Sequence, residues 1–181
     1  MRVIGGVAKG RRLSTPAGKG TRPFTDRLRE SLFSSLGDRV IGARVLDCYA
    51  GTGSIGLEAL SRGAASAVFI ESNRSALHAL RRNIEAVGLG GKVIAGAVER
   101  QLDHRSELFD IIFLDPPYPV SDEDVGRVIA MAASLLTDDG VIVVHRRRGA
   151  EMMTGGAMLS SIWHRRYGDA EVWWLQKEQK T

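Results

Sequence analysis

The chain has 181 residues, 44% hydrophobic and 25% charged, with a formal net charge of +4, which is enough for one well-formed core with an appendage and short for two independent domains. A single cysteine, Cys48, excludes an intramolecular disulfide and a cysteine-cluster metal site, and the four histidines lack metal-ligand spacing, so no metal is expected. No apolar run is long enough to cross a bilayer or to serve as a secretory leader, so a cytoplasmic protein without membrane contact is expected.

Charge is unevenly spread. Residues 1–29 carry eight cations against the single acid Asp26, a local charge of +7, which leaves −3 for the remainder. A basic arm on a mildly acidic body suits a polyanion, because phosphate contacts release condensed counterions. Val3-Ile4 and Leu13, set among glycines, predict a small hairpin within residues 1–24, with too few apolar residues to fold alone. Pro23 keeps Arg22 extended. Thr25 then caps a helix whose apolar face is Leu28, Leu32, Phe33 and Leu36 and which Gly37 ends.

From residue 43 to the end, strand and helix patterns alternate. Val45-Leu46 lead through Asp47 into Gly51-Thr52-Gly53-Ser54-Ile55-Gly56 and a helix carrying Leu57, Ala59 and Leu60. Ala67-Val68-Phe69-Ile70 end in Glu71, and Leu77, Leu80, Ile84 and Val87 form a helical stripe. Val93-Ile94 and Ile111-Ile112-Phe113-Leu114 are further strands. A helix is expected from about Asp122 to Leu136, then Val141-Ile142-Val143-Val144 after an Asp138-Asp139-Gly140 turn, and finally a hairpin folding about Gly168-Asp169. Continuously apolar strands alternating with helices predict an α/β fold with a mostly parallel sheet covered on both faces, whose ligands bind at the carboxyl ends of the strands. Asp47, Glu71 and Asp115 all fall at such ends.

Residues 51–56 satisfy G-x-G-x-x-G, and Glu71 follows at the distance at which an acid grips a ribose. The motif suits either a dinucleotide or S-adenosylmethionine. An acid beside the loop, Asp47, favours the cationic sulfonium over a pyrophosphate. At the fourth strand's end stand Asp115-Pro116-Pro117-Tyr118. Two prolines cannot continue a strand, and a turn alone would explain them, but their place beside two other acids favours chemistry.

The order acid and glycine loop, acid after the second strand, Asp-Pro-Pro-Tyr after the fourth resembles class I methyltransferases that modify exocyclic amines of nucleobases. Met1-Arg2-Val3-Ile4-Gly5-Gly6, Arg11-Arg12-Leu13, Thr21 to Arg27, Asp47 to Gly53, Gly56 to Ala64 and Phe109 to Tyr118 together resemble the RsmD family, the 16S ribosomal RNA guanine-N2 methyltransferases. The likeness spans almost the whole chain. It implies a Rossmann-like sheet of seven strands closed by a carboxyl-terminal antiparallel hairpin, a small amino-terminal hairpin extension over residues 1–24, and a methyltransferase domain over 25–181. It also implies 16S rRNA in the small ribosomal subunit, or in its assembly intermediate, as partner. The protein is expected to act as a monomer.

On this resemblance S-adenosylmethionine is the cofactor, held by Asp47, Ala50, Gly51, Thr52, Gly53, Glu71, Ser72, Ala97 and Val98, with Asp47 toward its amino-acid portion and Glu71 toward its ribose. Asp115 and the Pro116 carbonyl would each accept one hydrogen of the target amine, Pro117 would rigidify the loop, and Tyr118 would stack on the extruded base. Arg11, Arg12, Arg22, Arg27 and Arg29 are candidates for phosphate contact, with Arg146, Arg147 and Arg148 as a second patch. Three positions depart from the family pattern: Phe24, Ala97, and the run from His145 to Arg148. Rival readings are a DNA adenine-N6 or cytosine methyltransferase, an NAD-dependent oxidoreductase, and a non-catalytic nucleic-acid-binding module.

Overall fold

The computed structural model describes residues 1–15, 25–117 and 119–178. Phe24, Arg22 and Tyr118 therefore lie outside the described residues. Seven strands, β1 (Arg44–Cys48), β2 (Ser66–Glu71), β3 (Lys92–Ala95), β4 (Phe109–Leu114), β5 (Leu136–Arg147), β6 (Leu159–Tyr167) and β7 (Ala170–Lys177), form one sheet in the order β3-β2-β1-β4-β5-β7-β6. The first five in that order run parallel, and β7 pairs antiparallel with both β5 and β6. This is the expected sheet with its closing hairpin.

Because strand side chains alternate between faces, a continuously apolar strand feeds two cores. On one face, Phe69, Ile111, Phe113, Val143 and Trp174 meet the helices α1 (Asp26–Leu36), α2 (Ser54–Ser61) and α3 (Arg74–Val87). On the other, Val68, Ile70, Ile112, Leu114 and Val144 meet α4 (Val98–Asp103) and α5 (Asp122–Ser134). Helix ends follow local chemistry. Thr25 accepts from the Leu28 N–H to start α1, Asn73 accepts from Ser75 and Ala76 to start α3, and Ser121 accepts from Asp124 to start α5. Gly88 in the left-handed conformation ends α3.

Two expectations need correction. Asp138-Asp139-Gly140 lies within β5, whose pairing with β4 shifts register between Phe109 and Ile111 and leaves the two acids exposed. Helix α4 went unpredicted because only Val98 and Leu102 of its six residues are buried, too few to make a stripe.

The described amino-terminal residues are anchored on the core. Arg2 and Arg12 form an antiparallel bridge, and Val3, Ala8 and Leu13 are buried with α1 and α2. Gly6 has φ +75, and a Cβ there would lie 1.7 Å from the Ser61 carbonyl oxygen, so only glycine permits this approach to α2. The Ala8 N–H donates to Ser61 Oγ (2.9 Å), and the Ile4 and Gly5 N–H groups donate to Glu58 (2.7 and 2.8 Å). No helix among the described residues is long and apolar enough to cross a membrane.

Candidate active site

Parallel register brings the three acids to one edge. Cys48 is opposite Ile70 on one side and Leu114 on the other, so Glu71 and Asp115 are the next residues on their strands. Asp47 is buried at 1% exposure. Its Oδ2 accepts the Gly56 N–H at 2.9 Å, while Oδ1 has no hydrogen-bond partner among the described residues. Burial pushes its carboxyl up to about 7, the neighbouring Asp115 and Glu71 charges add to this, and the Gly56 N–H opposes it. Gly56 cannot carry a side chain, since a Cβ would lie 2.3 Å from the Phe69 ring and 3.1 Å from Asp47 Oδ2.

This has a consequence for stability. Between about pH 4 and pH 7 the folded chain keeps a proton that the unfolded chain, with its ordinary value of 3.8, has lost. Stability therefore falls as pH rises through that window, by up to about 4 kcal/mol from this group, and levels off above it. Unfolding free energies measured from pH 4 to 8 should show this component in the wild type and lose it in Asp47→Asn. An unchanged slope in the variant would assign the pH dependence to other groups.

Glu71 ties the loop to the second strand. Its Oε2 accepts the Gly51 N–H (2.7 Å), and its Oε1 accepts those of Ser72 (2.8 Å) and Asn73 (2.7 Å). Three donors leave about one acceptor position on a carboxylate that offers roughly four. The Ala50 N–H donates to Ile70 and the Gly53 N–H to the Ala50 carbonyl, closing the turn. Gly51 and Gly53 have φ of 56 and 79, as a strand-to-helix turn of this kind requires. Tyr49 shares the positive φ without being glycine, a strain of about 1–2 kcal/mol. Its hydroxyl donates to Glu99 at 3.0 Å, reaching across to α4. Ala97 caps that helix in an extended conformation, Val98 is buried behind it, and Gly96 donates to the Glu71 carbonyl. A cavity of about 450 Å³ opens nearby, lined by Glu99, Pro119, Val120, Asp124 and Arg127.

Asp115 is half-buried, with Pro116 buried and Pro117 exposed beyond it. The Pro117 carbonyl accepts the Val120 N–H, so the motif is a turn as well. Cys48 is fully buried and its thiol is pushed up by that burial and by Asp47, which unsuits it as a nucleophile.

The arginines divide. Arg11, Arg12 and Arg27 are exposed, and Arg11 donates to the Ala86 carbonyl at 3.2 Å. Arg29 is not a phosphate contact: it is fully buried, donates to Asp26 and to the Arg2 carbonyl, and faces Glu58 at 3.5 Å. Arg146 likewise leaves the proposed second patch, being buried and bound to the Val120 carbonyl (2.7 Å) and Asp122 (2.8 Å). Arg147 and Arg148 remain exposed.

Two buried polar residues were not singled out from sequence for these roles. Asn83 accepts the Ser14 N–H (2.7 Å) and donates to the Ser14 and Thr52 carbonyls (3.0 and 2.9 Å), joining the arm to the glycine loop. A polar residue three positions after Leu80 in an apolar stripe was the available signal. His145 contacts Asp115 through its Nδ1.

The site fits a cationic ligand. A buried carboxylate oxygen lacks a partner among the described residues, two further acids adjoin it, and the loop that approaches it is free of side chains at two positions. A pyrophosphate would meet the acids Asp47, Glu71 and Asp115 here instead of donors.

The family model described as "Conserved hypothetical protein 95" matches residues 1–176. The Bacillus subtilis protein named "Putative rRNA methyltransferase YlbH" is 37% identical over 157 residues, 84% of this chain and 85% of that one. The Escherichia coli "Ribosomal RNA small subunit methyltransferase D" is 41% identical over 119 residues, 65% of this chain and 60% of that one. A solved structure, "Putative methyltransferase yhhF from Escherichia coli", superimposes with a TM-score of 0.86 at 32% identity, covering 99% of both chains. The chain belongs to the Conserved hypothetical protein 95 family, and with it to the RsmD-type class I methyltransferases.

Proposed function

We propose that this enzyme methylates the exocyclic N2 amine of a guanine in 16S rRNA, within the small ribosomal subunit or its assembly intermediate. In this reading it acts as a monomer, with residues 1–24 as a basic RNA-contacting arm and 25–181 as the catalytic domain. S-adenosylmethionine supplies an electrophilic methyl on a sulfonium. The observation that carries the reading is the convergence of Asp47, Glu71 and Asp115 on one sheet edge, with the Asp47 Oδ1 buried and without a hydrogen-bond partner among the described residues.

The residues then divide the work. Asp47 compensates the positive charge of the cofactor's amino-acid portion, and that charge in turn favours the ionised carboxylate that burial disfavours. Glu71 offers its remaining acceptor capacity to the ribose. Gly51, Thr52 and Gly53, with Ala50 and Ser72 beside them, present backbone, and Ala97 with Val98 border the adenine next to the cavity at Glu99. Asp115 and the Pro116 carbonyl each accept one hydrogen of the amine. The nitrogen lone pair, otherwise delocalised into the ring, is thereby aimed at the methyl and free to pyramidalise. The amine proton becomes acidic only after transfer, so Asp115 need not remove it beforehand. Tyr118 supplies a stacking face, and Arg11, Arg12, Arg22 and Arg27 contact phosphate.

The reading is tested by methyl transfer from labelled cofactor to assembled 30S particles, naked 16S rRNA and duplex DNA, followed by mapping of the modified base. Label on guanine N2 of rRNA is expected. Label on DNA alone would overturn the substrate, and label on another rRNA atom would overturn the target amine.

A further inference from the structure

His145 contacts the carboxylate of Asp115. It lies near the end of β5, 5% exposed, opposite Val172 of β7. The preceding Val144 pairs with Leu114, which brings His145 beside Asp115. Its Nδ1 is 2.7 Å from Asp115 Oδ1. No other hydrogen bond to the Asp115 carboxylate is made among the described residues. Pro116 and Pro117 fix the backbone after Asp115 but leave its side-chain torsions free. A half-buried carboxylate with one exposed edge would otherwise be turned by water.

We propose that His145 is a positioning residue for the reaction: its Nδ1–H donates to Asp115 Oδ1 and so dedicates Oδ2 to the hydrogen of the target amine. With Asp115 Oδ1 as the acceptor, the hydrogen bond calls for the proton on Nδ1. This is the donor arrangement that holds the carboxylate plane in one orientation. Its neighbour Arg146 fixes the segment after the motif by donating to the Val120 carbonyl, so successive residues of β5 brace the two sides of the same turn. The proposal rests on the reading of Asp115 given above.

The test separates donor from volume. His145→Asn keeps an N–H at the position of Nδ1 but loses volume, whereas His145→Phe keeps a ring and loses the donor. With assembled 30S particles as substrate, Asn is expected to retain kcat to within about threefold, while Phe loses about 30- to 100-fold, the scale of a small misplacement of a catalytic group. Cofactor affinity by calorimetry should stay within about twofold in both, which also reports that they fold. Activity that follows volume, with Phe near wild type and Asn poor, would overturn the proposal. An independent readout needs no substrate: ¹H–¹⁵N correlation on the imidazole should place a downfield-shifted proton on Nδ1, a signal that disappears in Asp115→Ala. Absence of that signal in the wild type would also overturn it. A wild type with the signal but no rRNA methylation would instead overturn the functional reading alone.

Discussion

Asp115→Ala is expected to lose methyl transfer to rRNA by about 10³-fold or more while binding S-adenosylmethionine as the wild type does. The variant removes the acceptor of one amine hydrogen, and the remaining Pro116 carbonyl cannot by itself hold both the direction and the pyramidalisation of the nitrogen. The cofactor's contacts are assigned to Asp47, Glu71 and the loop between them, so calorimetry should register little change. Removing Asp115 also takes away one hydrogen-bond partner of the buried His145, at a cost of about 1–3 kcal/mol. Asp115→Asn is therefore the sharper variant. Its amide oxygen still accepts from His145, so stability stays near wild type, but its NH₂ faces the amine with the wrong polarity and activity is lost. Near-wild-type turnover in either variant would sink the assignment of Asp115 to the target amine.

How far the sequence could carry this site depends on which interactions are local. The sheet was readable because each parallel strand is apolar on both faces, and the acids were readable because each ends a strand. Glycines 51 and 53 stood out because a sharp turn from strand to helix needs them, and Gly56 because the helix packs closely against the strand at Phe69. Arg29 was misread by counting charge. Leu28, Arg29, Leu32, Phe33 and Leu36 share one face of α1, so spacing alone would have buried it, but its partner Glu58 lies in another helix, 29 positions later. Arg146 failed the same way, because its alternation in β5 points it at Asp122 on α5. His145 was visible only as a departure from the family pattern. Its meaning required the register that sets β5 beside β4, and strand order is a tertiary property.

The largest expected effect on stability falls at Glu58, which makes the amino-terminal residues part of the core. Its carboxylate is fully buried and accepts the Ile4 N–H (2.7 Å), the Gly5 N–H (2.8 Å) and Arg62 Nε (2.7 Å), with Arg29 Nε at 3.5 Å. At that distance Arg29 contributes charge more than a hydrogen bond, and its Nε and Nη1 have no hydrogen-bond partner among the described residues. Burial lowers the pKa of Arg29 while Glu58 and Asp26 oppose this, so the guanidinium depends on these acids to stay charged in the core. Glu58→Ala should therefore cost about 3–5 kcal/mol, a fall of roughly 10 °C in Tm for a domain of this size. Hydrogen exchange should accelerate at the Ile4 and Gly5 amides in particular. Replacing the pair together, Glu58→Leu with Arg29→Met, should recover much of the lost stability, since an apolar pair avoids the desolvation that the ions suffer. It should not restore protection at Ile4 and Gly5, whose acceptor is gone. Recovery of both would mean that buried Val3, Ala8 and Leu13, with the hydrogen bonds to Ser61 and Asn83, hold the arm without Glu58. Recovery of stability without protection would assign Glu58 to docking the arm that carries Arg11 and Arg12, and 30S affinity should then fall with that protection while cofactor affinity holds.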